Sequence, residues 1–407
     1  MLSSPRSGRL HIVIFGRRNA GKSSLINALT NQDCALVSPV AGTTTDPVFK
    51  TMEVLPLGPV VLIDTAGIDD DGSLGSLRVA KTMEILRKTD LAVVVVSAEE
   101  IPGVFEEDLI HNIKEKAIPL VGVVNKSDLH DPEPAFRWFE AQGVRRVVVS
   151  ALTEKGIEEL KGLMVKAAPE DFQQPPLVRD LIKPGEMVIL VTPIDSAAPK
   201  GRLILPQVQV LRDVLDGEGL TMVVQPPQLP AALEGLQGKA ALVVTDSQAF
   251  KEVAGMVTED VPLTSFSIIM ARYKGDLQGS VEGLTKIKEL KPSAQVLIAE
   301  GCTHHRQDKD IGRVQIPALL NKLVGGELAY TWSSGGGFPK ELTGFDLILH
   351  CGGCMLNRKE MLYRLALARE AGVPLINYGI LLAYANGILP RVLAPLTEGG
   401  EKIDLSG

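Results

Sequence analysis

Residues 10–23 constrain the fold more than any other stretch of this 407-residue chain. Leu10-His11-Ile12-Val13-Ile14-Phe15 is a short apolar run of the kind that forms a buried strand. It leads into Gly16-Arg17-Arg18-Asn19-Ala20-Gly21-Lys22-Ser23, a G-x-x-x-x-G-K-S loop, and then into the helical pattern SSLINALTN. The glycines let backbone N–H groups curl around a phosphate chain, here those of Asn19, Ala20, Gly21, Lys22, Ser23 and Ser24. Lys22 supplies a point charge for the β- and γ-phosphates, and the Ser23 hydroxyl can ligate Mg²⁺.

The residues around that unit repeat its alternation. Near-continuous apolar runs at 60–67, 90–98, 119–128 and 145–151 alternate with amphipathic helical stretches, as in a parallel sheet covered on both faces. The spacing predicts a doubly wound α/β domain over 1–170. A proline-rich stretch, APEDFQQPPLVRDLIKPGE (168–186), reads as a linker. A second, smaller α/β region follows over 175–262 and a third α/β region over 263–407. Strands are expected in the third at 294–301, 327–332, 345–354 and 373–379, with a helix at 359–372 ended by Gly372. No repeat of 20–50 residues and no low-complexity tract stands out, and the tail from Thr397 is expected to fray.

Composition narrows the function. The net charge of −7 and the 4% aromatic content give neither a broad basic face nor a stacking platform, so no nucleic-acid partner is expected. No run of about 18 apolar residues predicts a membrane span, and the N-terminus lacks a signal-peptide shape. A cytoplasmic protein is expected. Four cysteines in a chain of this size do not make a disulfide scaffold and leave a metal or redox site open.

Three more segments fall at strand ends in the first domain. Asp64-Thr65-Ala66-Gly67 places a carboxylate beside the phosphates, where Asp64 can hold Mg²⁺ through water and the Gly67 N–H can meet the γ-phosphate. In Asn125-Lys126-Ser127-Asp128, a carboxylate can accept from guanine N1–H and its 2-amino group, a pair that adenine lacks. Ser150-Ala151-Leu152 can support the base with backbone N–H groups.

In this order the segments GRRNAGKSS, GTTTD (42–46), DTAG, NKSD and SAL resemble the TrmE–Era type of GTPase. The resemblance implies GTP/GDP with Mg²⁺ as cofactors, and catalytic roles for Lys22, Thr44, Asp64 and Gly67. Thr44 would complete Mg²⁺ coordination, with Thr43 or Thr45 as fallbacks. Asn19 would coordinate a K⁺ ion that activates slow hydrolysis. Position 68 is Ile68, so the usual water-orienting glutamine is absent. Asp69, Asp70 and Asp71 are the nearby acidic groups, each read more plainly as part of a solvated loop.

The remaining signal lies in the last third. Glu300-Gly301-Cys302-Thr303-His304-His305 and His350-Cys351-Gly352-Gly353-Cys354 each follow an apolar strand, so both can meet at one sheet edge. Gly352 and Gly353 allow a turn on which two sulfurs converge. An Fe–S cluster on three thiolates, a Cys₃His zinc site and three reduced thiols all fit this pattern. Joined to the GTPase pattern, however, C-x-H…H-C-x-x-C resembles the HydF family of [FeFe]-hydrogenase maturation GTPases over the whole chain. That resemblance implies a [4Fe–4S] cluster on Cys302, Cys351 and Cys354, with His304, Glu300, His350 or solvent as fourth ligand or supporting group. It further implies a scaffold or carrier of a transient diiron subcluster, the radical-SAM partners HydE and HydG, apo-[FeFe]-hydrogenase as recipient, and a homodimer or higher assembly through 175–262. The rival expectation is a ribosome- or tRNA-associated GTPase with a structural zinc module.

Other eye-catching residues read as structural. Cys34 is expected to be a small buried thiol and His11 a packed strand residue, while His111 and His130 carry no constellation. Tyr330 and Trp332 are expected in core packing, and Arg306, Lys309 and Arg313 on a solvated face.

Overall fold

The computed structural model describes residues 9–30, 48–55, 57–65, 82–169, 175–194, 203–275, 277–301 and 310–397. They form two compact units, Met1–Gln173 and Gln174–Gly407.

In the first unit, six strands lie in the order β2-β3-β1-β4-β5-β6. They are β1 (Leu10–Phe15), β2 (Val48–Val54), β3 (Gly58–Asp64), β4 (Leu91–Ser97), β5 (Leu120–Asn125) and β6 (Arg145–Val148). All neighbours run parallel except β2, which pairs antiparallel with β3. Every residue of β1 and β4 is buried, as a strand covered by helices on both faces requires. Period-two alternation divides β1 between two cores. Leu10, Ile12 and Ile14 pack with Leu25 and Ile26 of helix Lys22–Thr30, whereas Val13 and Phe15 pack with Ile110 and Phe139 on the opposite face. Strand β2 is an addition to the expected set. Its sequence alternates only over its second half, where Met52 and Val54 reach the core, while Phe49 stays exposed.

The second unit holds two four-stranded parallel sheets. The first contains β7 (Met187–Val191), β8 (Leu220–Val224), β9 (Leu242–Thr245) and β10 (Leu263–Ser265), in the order β10-β9-β7-β8. The second contains β11 (Gln295–Glu300), β12 (Ala329–Ser334), β13 (Leu347–His350) and β14 (Leu375–Asn377), in the order β12-β11-β13-β14. The winding is the same in both. The first strand pairs with the second on one side and the third on the other, so the chain reverses direction between first and third. That reversal opens a crevice at the carboxyl ends of the two strands.

One core serves both sheets: Ile189 and Val243 of the first cluster with Val296, Ile298, Leu349 and Ile376 of the second. The expected division near 262 falls just ahead of β10, which pairs with β9, so the first sheet closes only after Ser265. The helix expected over 359–372 spans Arg358–Glu370, and Gly372 follows it at φ +68° in the left-handed region that stops a helix. Among the described residues, no helix is long and apolar enough to cross a membrane.

Candidate functional site

The loop after β1 is shaped by backbone requirements. Gly16 has φ +149°, and a Cβ there would sit 2.1 Å from the Val95 carbonyl oxygen. Gly21 has φ +87°, and a Cβ would meet Asn125 Nδ2 at 2.2 Å. Asn19 between them is left-handed at φ +62°. Asn125, at the end of β5, joins two of the expected segments. Its Nδ2 donates to the Ala20 carbonyl at 3.0 Å, and its Oδ1 accepts from Ala151 N at 3.0 Å. The NKSD asparagine thus ties the phosphate loop to the SAL loop.

Lys22 is buried, with Nζ donating to the carbonyls of Gly16 and Arg17. The Ser23 hydroxyl donates to Asp64 Oδ2 at 2.7 Å. The other carboxylate oxygen, Oδ1, is buried with no hydrogen-bond partner among the described residues. A hydroxyl beside a partly orphaned buried carboxylate is a donor set that fits Mg²⁺. A cavity of about 280 Å³ opens beside the loop, lined by Asn19, Ala20, Ser97, Glu99 and Lys126 among others. Asp128 and Leu152 are exposed on neighbouring loops, and Ser150 is buried. Thr44 and Gly67, with Asp69–Asp71, lie outside the described residues.

Sequence reasoning passed over Glu106 here. It is 2% exposed and accepts from Arg17 through both oxygens, at 2.8 and 3.0 Å, and from Gly103 N at 2.8 Å. The phosphate loop's first arginine is therefore held by a buried carboxylate. The available signal was the glutamate three residues into a helix that starts after Gly103, where it closes a capping box.

The thiols sit at the crevice of the second parallel sheet. Ala299 of β11 lies opposite His350 of β13, so the strands end together. Cys351 N donates to the Ala299 carbonyl at 3.0 Å, while Cys351 Sγ accepts from Gly301 N at 3.1 Å and Gly353 N at 3.4 Å. Gly353 takes φ +60°, and a Cβ on Gly301 would meet its Cα at 3.1 Å. The glycines thus let the residue ahead of Cys302 close on the Cys351–Cys354 turn. Burial pushes the Cys351 thiol up to about 11 despite those two N–H groups. Burial raises Cys354 too, against the pull of Lys274. Glu300, at the end of β11, has its carboxylate beside Gly312 and near enough to Cys351 to raise that thiol further. Cys302, His304 and His305 lie outside the described residues, as do Cys34, Arg306 and Lys309. Among the described residues, no group of three or more His, Cys, Asp or Glu could hold a metal ion. The two free thiols that are described, Cys351 and Cys354, with backbone N–H groups aimed at sulfur, are a donor set that fits an Fe–S cluster.

His350 has both ring nitrogens engaged. Arg364 Nη1 donates to Nε2 at 3.1 Å, since a guanidinium has no lone pair to accept with. The proton is therefore on Nδ1, which donates to the Cys351 carbonyl at 2.6 Å. Burial, then the Arg364 charge, hold this imidazole down to about 3, so it stays neutral. Arg364 is itself 1% exposed, paired with Glu360 at 3.1 Å, and donates to the Gly335 carbonyl at 2.6 Å. Neither Arg364 nor Glu360 was singled out by the sequence. The signal was there: Arg364 shares a helical stripe with buried Met361, Leu365 and Ala368. Trp332 and Arg313 stack with each other, 5.3 Å from guanidinium to ring.

Three family models match the chain. The 50S ribosome-binding GTPase model matches residues 11–126, the Hydrogen maturase F dimerization domain 177–275, and the Hydrogen maturase F tetramerization domain 278–395. Among curated proteins, the tRNA modification GTPase MnmE of Moorella thermoacetica is 39% identical over 160 residues, 37% of this chain and 33% of that protein. GTPase Der of Campylobacter hominis is 30% identical over 162 residues, 40% of this chain and 35% of that protein. The chain thus spans about a third of the length of the curated relatives it matches. Among solved structures, Aquifex aeolicus Era is similar at a TM-score of 0.36 and 21% identity, covering 56% of this chain and 98% of that one. The two Hydrogen maturase F models together match more than half of the chain, directly after its P-loop GTPase domain. This chain therefore belongs to the hydrogen maturase F (HydF) family.

Proposed function

We propose that this chain binds and hydrolyses GTP and serves as a scaffold or carrier in assembly of the [FeFe]-hydrogenase diiron subcluster. In this reading a [4Fe–4S] cluster is held by Cys302, Cys351 and Cys354, and the diiron unit is passed to apo-hydrogenase. The observation that carries the reading is the Cys351–Cys354 turn: two free thiols with backbone N–H groups aimed at sulfur, at the crevice of a parallel sheet, in a chain with a P-loop GTPase domain. The cluster supplies, when bound, an iron onto which a bridging group of the incoming unit can dock. HydE and HydG are the proposed suppliers, and self-assembly through residues 177–275 and 278–395 the proposed quaternary form.

Both ring nitrogens of His350 are committed within the protein, which supports a supporting role for it, leaving His304, Glu300 or solvent as fourth ligand. In the nucleotide site, Lys22 would meet the β- and γ-phosphates, and Ser23, Asp64 and Thr44 would hold Mg²⁺. Asp128 would read guanine, and Asn19 would hold the activating K⁺. The GTPase relatives, matched over 37% and 40% of this chain, support the nucleotide half.

Anaerobic reconstitution followed by iron and zinc analysis tests the proposal. A brown protein absorbing near about 400 nm, with iron lost in C351S and C354S, is the expected outcome. A colourless protein with stoichiometric zinc overturns it in favour of a tRNA- or ribosome-type GTPase with a structural metal.

A further inference from the structure

Lys274 is a buried cation that the proposed chemistry does not use. It closes helix Phe266–Lys274, which follows β10 of the first parallel sheet, yet its ammonium lies under the thiol-bearing turn of the second. Nζ donates to the carbonyls of Gly353 at 2.7 Å, Cys354 at 3.2 Å and Leu356 at 2.5 Å. Three carbonyl acceptors need three N–H donors, which an ammonium has and a neutral amine does not. Among the described residues no carboxylate forms a salt bridge with it, and the charges that act on it are those of Cys354 and Cys351. A buried charge of this kind is costly unless a partner balances it.

The geometry of a trans peptide supplies the consequence, because its C=O and N–H point in opposite directions. The Gly353 carbonyl turned toward Lys274 belongs to the same peptide as Cys354 N–H. The Cys354 carbonyl belongs to the same peptide as Met355 N–H. Both of those N–H groups act on the Cys354 thiol, drawing it down against burial. Pulling the two carbonyls to one side therefore aims two dipoles at the thiolate on the other.

We infer that Lys274 is a positioning residue for the cluster: it sets the Cys354 turn and supplies the balancing charge, thereby favouring the reduced state. The inference rests on the scaffold reading above for the cluster, while its effect on the turn does not. Dipoles and positive charge near cluster sulfurs stabilise the more negative, reduced form.

The test compares full-length wild type, K274M, K274Q and K274R. In the metal-free chains, hydrogen exchange at the Cys354 and Met355 amides should accelerate by about tenfold or more in K274M and K274Q, as local opening becomes easier. In the reconstituted chains, an EPR redox titration should show the one-electron reduction constant falling about tenfold in K274M, about 59 mV to lower potential. K274R keeps the charge and should hold the potential within about threefold of wild type. A cluster in K274M and K274Q with the wild-type potential overturns the inference, and so does unchanged exchange at both amides. Should K274M fail to fold, K274Q, which keeps two donors without charge, decides by the same two readouts. A wild-type chain that takes up no cluster sinks the scaffold reading instead, and the exchange measurement still decides the role of Lys274.

Discussion

The nucleotide loop and the thiol turn occupy corresponding places, each past the carboxyl ends of parallel strands, yet they are held by opposite means. The phosphate loop is held largely by backbone. Glycines at 16 and 21 take conformations or approaches that a Cβ would forbid, and one amide side chain, Asn125, braces the loop from behind. The thiol turn is held by buried charge: Lys274 under its carbonyls, and the Glu360–Arg364 pair behind His350. A site built on backbone tolerates change in its neighbours but not in its glycines. A site built on buried charge responds to the loss of any one partner, because each partner left behind is then uncompensated.

The largest expected effect breaks the second arrangement. R364M leaves Glu360 without its cation and His350 Nε2 without its donor, inside the protein. Removing one member of a buried pair costs about 3–5 kcal/mol, so urea unfolding of the metal-free chain should shift by that order. The double variant E360M/R364M should recover much of the loss, because two apolar side chains replace the whole pair. Recovery in the double variant sharpens the contrast, and an R364M protein as stable as wild type would remove it.

The next effect concerns the first arrangement alone. K22A should lower GTP turnover by about 10²–10³-fold, the usual consequence of deleting one group aimed at developing charge. Iron incorporation at the cysteines should stay at the wild-type level. Loss of both together would mean that the two units do not work as separate modules. N125A follows in size: it strips a buried donor from Ala20 O and an acceptor from Ala151 N, which should cost about 1–3 kcal/mol of stability. Its weaker nucleotide binding, measured by GDP titration, should exceed any change in cluster content.

What the sequence disclosed follows the same contrast. Backbone-held loops are written in glycines at fixed spacing, so Gly16, Gly21, Lys22, Ser23, Asp64 and Asn125 could all be placed in advance. The Cys351–Cys354 turn was legible for the same reason, through Gly352 and Gly353. Lys274, Arg364 and Glu360 were not. A charged residue within a helical pattern reads as part of a solvated face; the apolar stripe that Arg364 shares was the one available signal, and the inward turn of Lys274 and Glu360 is seen only in the fold. Strand β2 escaped because half of it lacks alternation. The single core beneath both sheets of the second unit also escaped, since two sheets of identical winding share no repeated sequence that would reveal their relation.

The smallest effect belongs to a structural hydroxyl in the sheet that carries the thiol turn. Tyr330 of β12 shares its one hydroxyl proton between Asn321 Oδ1 at 2.7 Å and the Pro317 carbonyl at 3.1 Å. Burial pushes the phenol up to about 12. A raised folded-state value means that stability is fully present below the unfolded value of about 10 and is lost as pH rises through 12. The ring is only half-buried, so solvent screening leaves about 0.5 kcal/mol between pH 9 and 11. Trp332, which packs 5.9 Å from this ring, reports the transition in a W138F background. Wild type should lose that increment relative to Y330F over this pH range. Lys274 titrates with the opposite sign: burial holds its ammonium down to about 8, so the folded chain gives up that proton before the unfolded one does and gains rather than loses stability as pH rises. An alkaline loss that Y330F leaves unchanged would remove Tyr330 as its source, and the depressed Lys274, whose step has the other sign, could not replace it.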